Sequence, residues 1–199
     1  MLTVINIEPT PNPNAMKFVV NSDFVPTGSI TYAGVNEVGA DPLALGLFRI
    51  PGVESVFYMQ DFVTITKEPS ASWDSIIEEA ESLISSTPPV INVTLPAPSA
   101  AARPGGAVGP GESPDGMAFE KMSDDQRISR INHILDEEIR PALAGDGGGL
   151  QVLGLDGYTL KVHYQGACGS CPTSSAGTLK YIESRLQELL SGKLVLESV

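Results

Sequence analysis

Short runs of alternating apolar and polar residues predict β-strands in the first part of the chain. Two such runs, 3–7 and 16–20, are separated by a turn-rich stretch of prolines and asparagines. Two more, 53–58 and 62–66, flank Gln60 and Asp61, which predicts a hairpin. We expect these strands to form one small sheet.

Two segments of the same region have helical signatures. Asp41 and Pro42 match an N-cap followed by proline at the first helical position. Apolar residues recur over 73–84 at three- and four-residue spacing, which is typical of an amphipathic helix. Strands and helices together predict a compact two-layer domain over residues 1–89.

The middle of the chain has a different composition. Between positions 96 and 116 nearly every residue is Pro, Gly, Ala or Ser, and Val108 is the one sizeable apolar side chain. Such a segment cannot bury enough apolar surface to offset its conformational entropy. Residues 90–122 are therefore predicted to be a flexible linker.

The remaining residues, 123–199, are predicted to form a second domain. A capping-box pattern at Ser123 and Gln126 begins a helix with an apolar stripe. Two strands joined by a turn at Asp156 and Gly157 follow, and then another helix and a last strand. The order α-β-β-α-β predicts helices on a three-stranded sheet. The whole chain is thus predicted to be α+β, with two small two-layer α/β domains joined by a Pro/Gly/Ala-rich linker.

The charge of the chain excludes one class of partner. The 199 residues carry a formal net charge of −12, and no region is basic. Since binding to nucleic-acid phosphates needs clustered Lys and Arg, we expect no nucleic-acid partner. No apolar stretch approaches the length of a membrane span, and the first residues read directly as a strand without a basic leader. We therefore expect a cytoplasmic protein with no membrane partner.

Cys168 and Cys171 are the only cysteines, and a proline and a helix-like run follow them. Thiols three positions apart can face one metal centre, and a helix start favours thiolate over thiol. In a reducing compartment such a pair indicates a metal or redox site rather than a structural disulfide. The spacing alone leaves iron–sulfur, zinc and dithiol redox chemistry open.

One chain supplies only two thiolates, whereas iron and zinc in sulfur sites usually take four ligands. His133 and His163, the only histidines, are interpreted as surface residues of a helix and a strand rather than as ligands. We therefore predict that two copies of the chain each contribute Cys168 and Cys171 to a four-thiolate site on a symmetry axis. A thioredoxin-like arrangement fits less well, because only one helix and one strand follow Cys171.

A glycine-rich segment, 145–149, precedes the first strand of the second domain. The favoured interpretation is a helix C-cap followed by a tight turn. The alternative is that the absence of side chains lets the cysteine site or a second subunit approach the backbone closely.

Two groups of motifs resemble those of the NifU and Nfu-type iron–sulfur proteins. Residues 140–148 and 166–180, with the Cys-Gly-Ser-Cys pair, resemble the NifU C-terminal domain. Residues 10–18, 51–57 and 61–67 resemble the Nfu N-terminal domain. One position departs from the family, which often has an acidic residue where this chain has Gly149.

The resemblance implies a non-enzymatic carrier or scaffold. It implies a [4Fe–4S] cluster held between two subunits by Cys168 and Cys171 and delivered to apo-proteins. The implied partners are apo iron–sulfur client proteins, cluster donors and, when the cluster is bound, a second copy of the chain. Since the N-terminal domain has no cysteine, it is expected to dock clients or donors. A dithiol oxidoreductase, a structural zinc dimer and an adaptor without cysteine chemistry are the alternatives.

Overall fold

The computed structural model of the chain describes residues 2–23, 25–86, 119–169 and 174–199. Most of the predicted linker, up to residue 118, lies outside these residues. The described residues form two α+β domains, and each has its own apolar core. The predicted fold class is confirmed.

The N-terminal domain is a five-stranded antiparallel sheet in the order β1-β2-β5-β4-β3. Two helices pack on one face. In chain order the elements are β1 (Val4–Pro9), β2 (Ala15–Val20), β3 (Val25–Tyr32), α1 (Pro42–Leu47), β4 (Val53–Gln60), β5 (Phe62–Lys67) and α2 (Trp73–Ser86). The predicted hairpin is β4–β5, whereas the edge strand β3 was not predicted.

Local sequence signals explain how these elements begin and end. The Asp41 carboxylate caps α1 by accepting hydrogen bonds from the amides of Leu43 and Ala44, at 2.9 and 3.2 Å. Gln60 adopts a positive φ of 47° in the turn between β4 and β5. The apolar stripe of α2 is buried against the sheet, as its spacing predicts.

Strand β5 is buried on both faces of the sheet. Val63 and Ile65 point towards the helices and belong to the N-terminal core. Phe62, Thr64 and Thr66 alternate with them and point the other way, yet each is at most 2 % exposed. The second face of the sheet is therefore covered along β5, where the Thr64 hydroxyl donates to the Gly147 carbonyl of the C-terminal domain.

The C-terminal domain has the predicted order α-β-β-α-β. Its sheet order is β6-β7-β8, with β6 and β7 antiparallel and β7 and β8 parallel. The elements are α3 (Asp124–Ile134), a π-helical turn (Leu135–Ile139), α4 (Arg140–Gly145), β6 (Gly148–Asp156), β7 (Thr159–Gly166), α5 (Ser174–Leu189) and β8 (Val195–Ser198). The predicted first helix thus contains a widened turn just before Pro141, which has no amide hydrogen to donate.

The last residues of the predicted linker, 119–122, pack on the C-terminal domain. Phe119 to Lys121 form a short 3-10 turn, and Phe119 and Met122 are buried in the C-terminal core. The Arg127 side chain donates to the Phe119 carbonyl over 3.0 Å and stacks on the Phe119 ring. Two large apolar side chains at the end of a Pro/Gly/Ala-rich segment were the sequence signal for this contact.

The helices of both domains are short or amphipathic. Within the described ranges, none is both long enough and apolar enough to cross a bilayer.

Candidate cysteine site

Cys168 lies in a turn immediately after β7. Gly166, at a φ of +63°, ends the strand in a conformation that favours glycine. The Ala167 amide then donates to the Gly147 carbonyl, and the Gly169 amide donates to the Gly166 carbonyl, each over 3.1 Å. These bonds attach the cysteine turn to the glycine-rich segment that precedes β6. Cys171 lies outside the described residues, and α5 begins three positions after it.

The Cys168 thiol packs against the backbone of Gly148. A Cβ atom at Gly148 would lie 2.5 Å from the Cys168 sulfur, which real Cβ atoms do not tolerate. The thiol is half-buried and also contacts the C-terminal core. Both interpretations of residues 145–149 therefore hold: α4 ends there with Gly147 at a φ of +74°, and the bare backbone makes room for the sulfur.

Tyr164 contributes a buried hydroxyl next to this turn. Its side chain is 5 % exposed, and its oxygen has no hydrogen-bond partner among the described residues. Burial, and secondarily the negative charge of Cys168, raises the pKa of Tyr164 to about 12. The hydroxyl therefore stays protonated at neutral pH, so that it retains a hydrogen to donate.

Cys168 opens into a cleft of about 160 Å³. This is below the 300–1,000 Å³ typical of small-molecule pockets. The cleft therefore does not fit an organic substrate of ordinary size. Its walls come from both domains: Pro11, Asn12, Glu138, Ile139, Ala142, Leu143, Asp146, Ala167, Thr178, Tyr181 and Ile182.

The acidic groups of the cleft do not complete a metal centre. Arg185 donates to both oxygens of Glu138, over 2.6 and 3.1 Å, and this hydrogen bonding lowers the pKa of Glu138. Asp146 is exposed at the end of α4. Among the residues that the structure describes, no group of three or more His, Cys, Asp or Glu side chains could hold a metal ion.

Both histidines lie on the surface, as their sequence context predicts. His133 pairs with Glu137 over 3.6 Å on the exposed side of the first helix of the domain. His163 is exposed on β7, and its Nδ1 is 2.8 Å from the Val199 main-chain oxygen. Neither lines the cleft.

The N-terminal domain contacts the cysteine turn directly, a contact that the sequence did not predict. The Asn12 amide donates to the Ala167 carbonyl over 3.1 Å, and the Thr64 hydroxyl donates to the Gly147 carbonyl over 2.7 Å. The signal that could have revealed this face is the placement of Phe57 and Phe62. Strand alternation puts both rings on the side opposite the helices, where a solvent-facing sheet would carry polar residues.

Comparison with protein-family models gives two matches. Residues 5–87 match the N-terminal domain of scaffold protein Nfu/NifU. Residues 131–196 match the NifU-like domain. Together the two matches cover more than half of the chain. The chain belongs to the Nfu/NifU family.

Named relatives in this family resemble the chain along most of its length. The "NFU1 iron-sulfur cluster scaffold homolog, mitochondrial" of Drosophila sechellia is 33% identical over 92% of this chain and 60% of its own length. "NifU-like protein 4, mitochondrial" of Arabidopsis thaliana is 32% identical over 94% and 62%. The chain thus spans about 60% of the first relative's length. Because both relatives are named mitochondrial, a cytoplasmic location stays a prediction.

A solved structure is also similar. The solution structure of a NifU-like protein from Saccharomyces cerevisiae is 33% identical to this chain. The match covers 41% of this chain and 76% of that one, with a TM-score of 0.37.

The departure from the Nfu/NifU pattern at Gly149 has a physical explanation in this chain. A Cβ atom at Gly149 would lie 3.1 Å from Cζ of Phe57. The Phe57 ring of the N-terminal domain therefore occupies the space into which a side chain at this position would extend. An acidic side chain there would meet an aromatic ring and a buried backbone.

Proposed function

We propose that this chain is a non-enzymatic iron–sulfur cluster carrier or scaffold. It binds a [4Fe–4S] cluster between two copies through Cys168 and Cys171 and delivers it to apo-proteins. The observation that carries the proposal is the Cys168 turn, a half-buried thiol fixed by glycine backbone in a chain of the Nfu/NifU family. The relatives named as cluster scaffolds support the same role.

The ligand count supports a site shared by two subunits. Iron–sulfur clusters are usually held by four thiolates, and each chain contains two cysteines. Glu138 is paired with Arg185, both histidines lie outside the cleft, and Asp146, the other acidic residue of the cleft, is a single exposed carboxylate. The second pair of thiolates therefore comes from another copy of the chain.

The cluster is cargo, and its transfer is an exchange of ligands. A donor supplies it, and an incoming client thiolate replaces Cys168 or Cys171 at iron. Separating the two subunits halves the ligand set, which favours release. No covalent bond of an organic substrate is made or broken, and hence we propose no catalytic residue.

Anaerobic reconstitution of the full chain tests this function. We expect about two irons and two sulfides per chain in a dimer, as a shared four-iron cluster requires. Cys168→Ala and Cys171→Ala should each abolish cluster binding while the fold survives. Ser170→Ala is the matched control, since it lies between the two cysteines in the sequence and keeps both thiols.

Three outcomes would contradict the proposal. A variant that lacks one cysteine and keeps its full iron and sulfide excludes that residue as a ligand. Zinc at about one ion per two chains without sulfide would indicate a structural zinc dimer. Disulfide-reductase activity without bound iron would indicate a dithiol oxidoreductase.

A further inference from the structure

The outer face of the N-terminal sheet packs on the segments that hold Cys168. Phe57, Phe62 and Thr64 are each at most 2 % exposed. Neither ring belongs to the N-terminal or the C-terminal core. These side chains are therefore buried by contact between the domains rather than by the packing of either domain alone.

The outer face of the N-terminal sheet packs against glycine backbone of the C-terminal domain. A Cβ atom at Gly149 would lie 3.1 Å from the Phe57 ring, and one at Gly166 would lie 2.7 Å from it. A Cβ at Gly147 would lie 3.0 Å from the Thr10 methyl group and 3.1 Å from the Thr64 hydroxyl. A side chain at Gly166 would clash with the Phe57 ring, and one at Gly147 or Gly149 would press against the facing side chains of the N-terminal domain.

Three hydrogen bonds fix the position of one domain against the other. Thr64 donates to the Gly147 carbonyl, which also accepts from the Ala167 amide. Asn12 donates to the Ala167 carbonyl, directly before Cys168. Ser29 donates to the buried Gln165 side chain over 2.7 Å. The N-terminal domain thus binds the carbonyl directly before Cys168 and the Gly147 carbonyl to which the cysteine turn is attached.

We propose that the outer face of the N-terminal sheet, comprising Asn12, Phe57, Phe62 and Thr64, is a docking surface for the cysteine turn of its own chain. In the docked state Pro11 and Asn12 form one wall of the cleft into which Cys168 opens. Docking therefore restricts access to the thiol, and undocking opens it. The functional meaning of this restriction rests on the proposed function, because an exposed thiol is what a second copy or a client must reach.

The contact has the features of a reversible interface. The two apolar cores are separate, so undocking breaks neither of them. Among the described residues, every salt bridge joins side chains of one domain. Acidic residues outnumber basic ones in both domains, and repulsion between them opposes docking. The segment 87–118, at up to ~3.3 Å per residue, is long enough for the domains to separate.

The accessibility of one thiol tests the proposal. The full chain with Cys171→Ser has Cys168 as its sole cysteine, and its rate of alkylation by iodoacetamide is measured at fixed pH. Phe57→Ser breaks docking from the N-terminal side without changing the C-terminal sequence. We expect alkylation to become about tenfold faster, as it does when a state that is ~10 % populated becomes dominant.

Gly149→Gln should have the same effect from the C-terminal side, because its side chain meets Phe57. Gly154→Gln is the matched control: it lies on the same strand, and no atom lies within 4 Å of its Cβ position. The control should leave the alkylation rate unchanged. Trp73 fluorescence verifies that the N-terminal domain stays folded in each variant.

The results separate this proposal from the proposed function. An unchanged rate in Phe57→Ser overturns docking, as does an equal rise in Gly154→Gln. Protection that depends on protein concentration also overturns it, because docking would then occur on a second copy. If the rates change as expected but the wild-type chain binds no cluster, docking stands and the proposed function fails. If the chain binds its cluster but the rates do not change, the proposed function stands and docking fails.

Discussion

The two domains meet through different kinds of surface. The N-terminal domain contributes side chains, chiefly Phe57 and Thr64, whereas the C-terminal domain contributes mainly backbone, that of Gly147, Gly149 and Gly166. Each domain has its own core of apolar side chains between helices and sheet. The domains are thus alike in how they fold and differ in what they present to each other.

This difference shows where substitutions are tolerated. A side chain that projects into an interface can be shortened, and what is lost is contact. A glycine that receives it can be enlarged only if the facing side chain, or the domain that carries it, shifts. The cysteine turn is therefore constrained from two directions, by Cys168 packing on Gly148 and by the N-terminal domain packing on the neighbouring glycines.

The largest expected effects come from breaking one core at a time. Leu135 and Leu47 are both fully buried, in the C-terminal and N-terminal cores respectively. Replacing either with Ala should destabilise its own domain by about 2–5 kcal/mol, because a buried cavity is left behind. Urea unfolding followed by the fluorescence of Trp73, the only tryptophan, reports on the N-terminal domain. Hydrogen exchange in α5 reports on the C-terminal one.

Leu47→Ala should shift the Trp73 transition, and Leu135→Ala should leave it nearly in place. If both variants shift it equally, the domains unfold as one unit. The inference that the two cores are stable independently of each other would then be wrong.

The next largest effect on stability should come from replacing one of two glycines with alanine. Gly166 and Gly157 have the same φ of +63°, so that Ala at either position costs about 1–2 kcal/mol for its backbone conformation. No atom lies within 4 Å of the Cβ position at Gly157, but at Gly166 a Cβ would be 2.6 Å from the Gly147 carbonyl. Gly166→Ala should therefore cost about 1–3 kcal/mol more than Gly157→Ala. Equal losses, measured by urea unfolding of the C-terminal domain, would show that the close approach relaxes freely.

Most of the fold follows from local signals in the sequence. The N-cap at Asp41, the capping box at Ser123 and Gln126, and the turn at Gly157 all have the predicted structure. Each of these signals depends on residues within one turn of the chain, so sequence spacing is enough to detect it. Strand β3 was missed because Gly28, at a φ of +78°, and an irregular register interrupt its alternation.

The site could be predicted only in part for the same reason. The Cys-x-x-Cys pair is a local motif, and the sequence is sufficient to identify it. The contacts of Asn12 with Ala167 and of Thr64 with Gly147 join residues that are far apart in sequence. Their partners are main-chain carbonyls, which every residue has, so no side-chain pattern indicates them.

The smallest expected effect is the pH-dependent contribution of one ion pair to the stability of the C-terminal domain. Glu138 accepts two hydrogen bonds from Arg185 on α5, and chiefly because of them its pKa lies below the ordinary value of 4.5. A carboxyl group whose pKa is lowered by folding stabilises the folded state above its unfolded pKa. That contribution disappears as the pH falls through the lower, folded pKa. Both side chains are about one-third exposed, and solvent screening keeps the contribution small.

Arg185→Gln should therefore lower the urea midpoint of the C-terminal domain at pH 6, and the difference from wild type should vanish as the solution is acidified below the folded pKa of Glu138. Arg130→Gln removes a positive charge from α3 of the same domain and should not reproduce this pH dependence. The Trp73 transition should not respond to Arg185→Gln at any pH, since Glu138 and Arg185 both belong to the C-terminal domain. A response there would mean that the cleft wall transmits the loss of this ion pair to Pro11 and Asn12, and hence that the interface couples the two cores energetically.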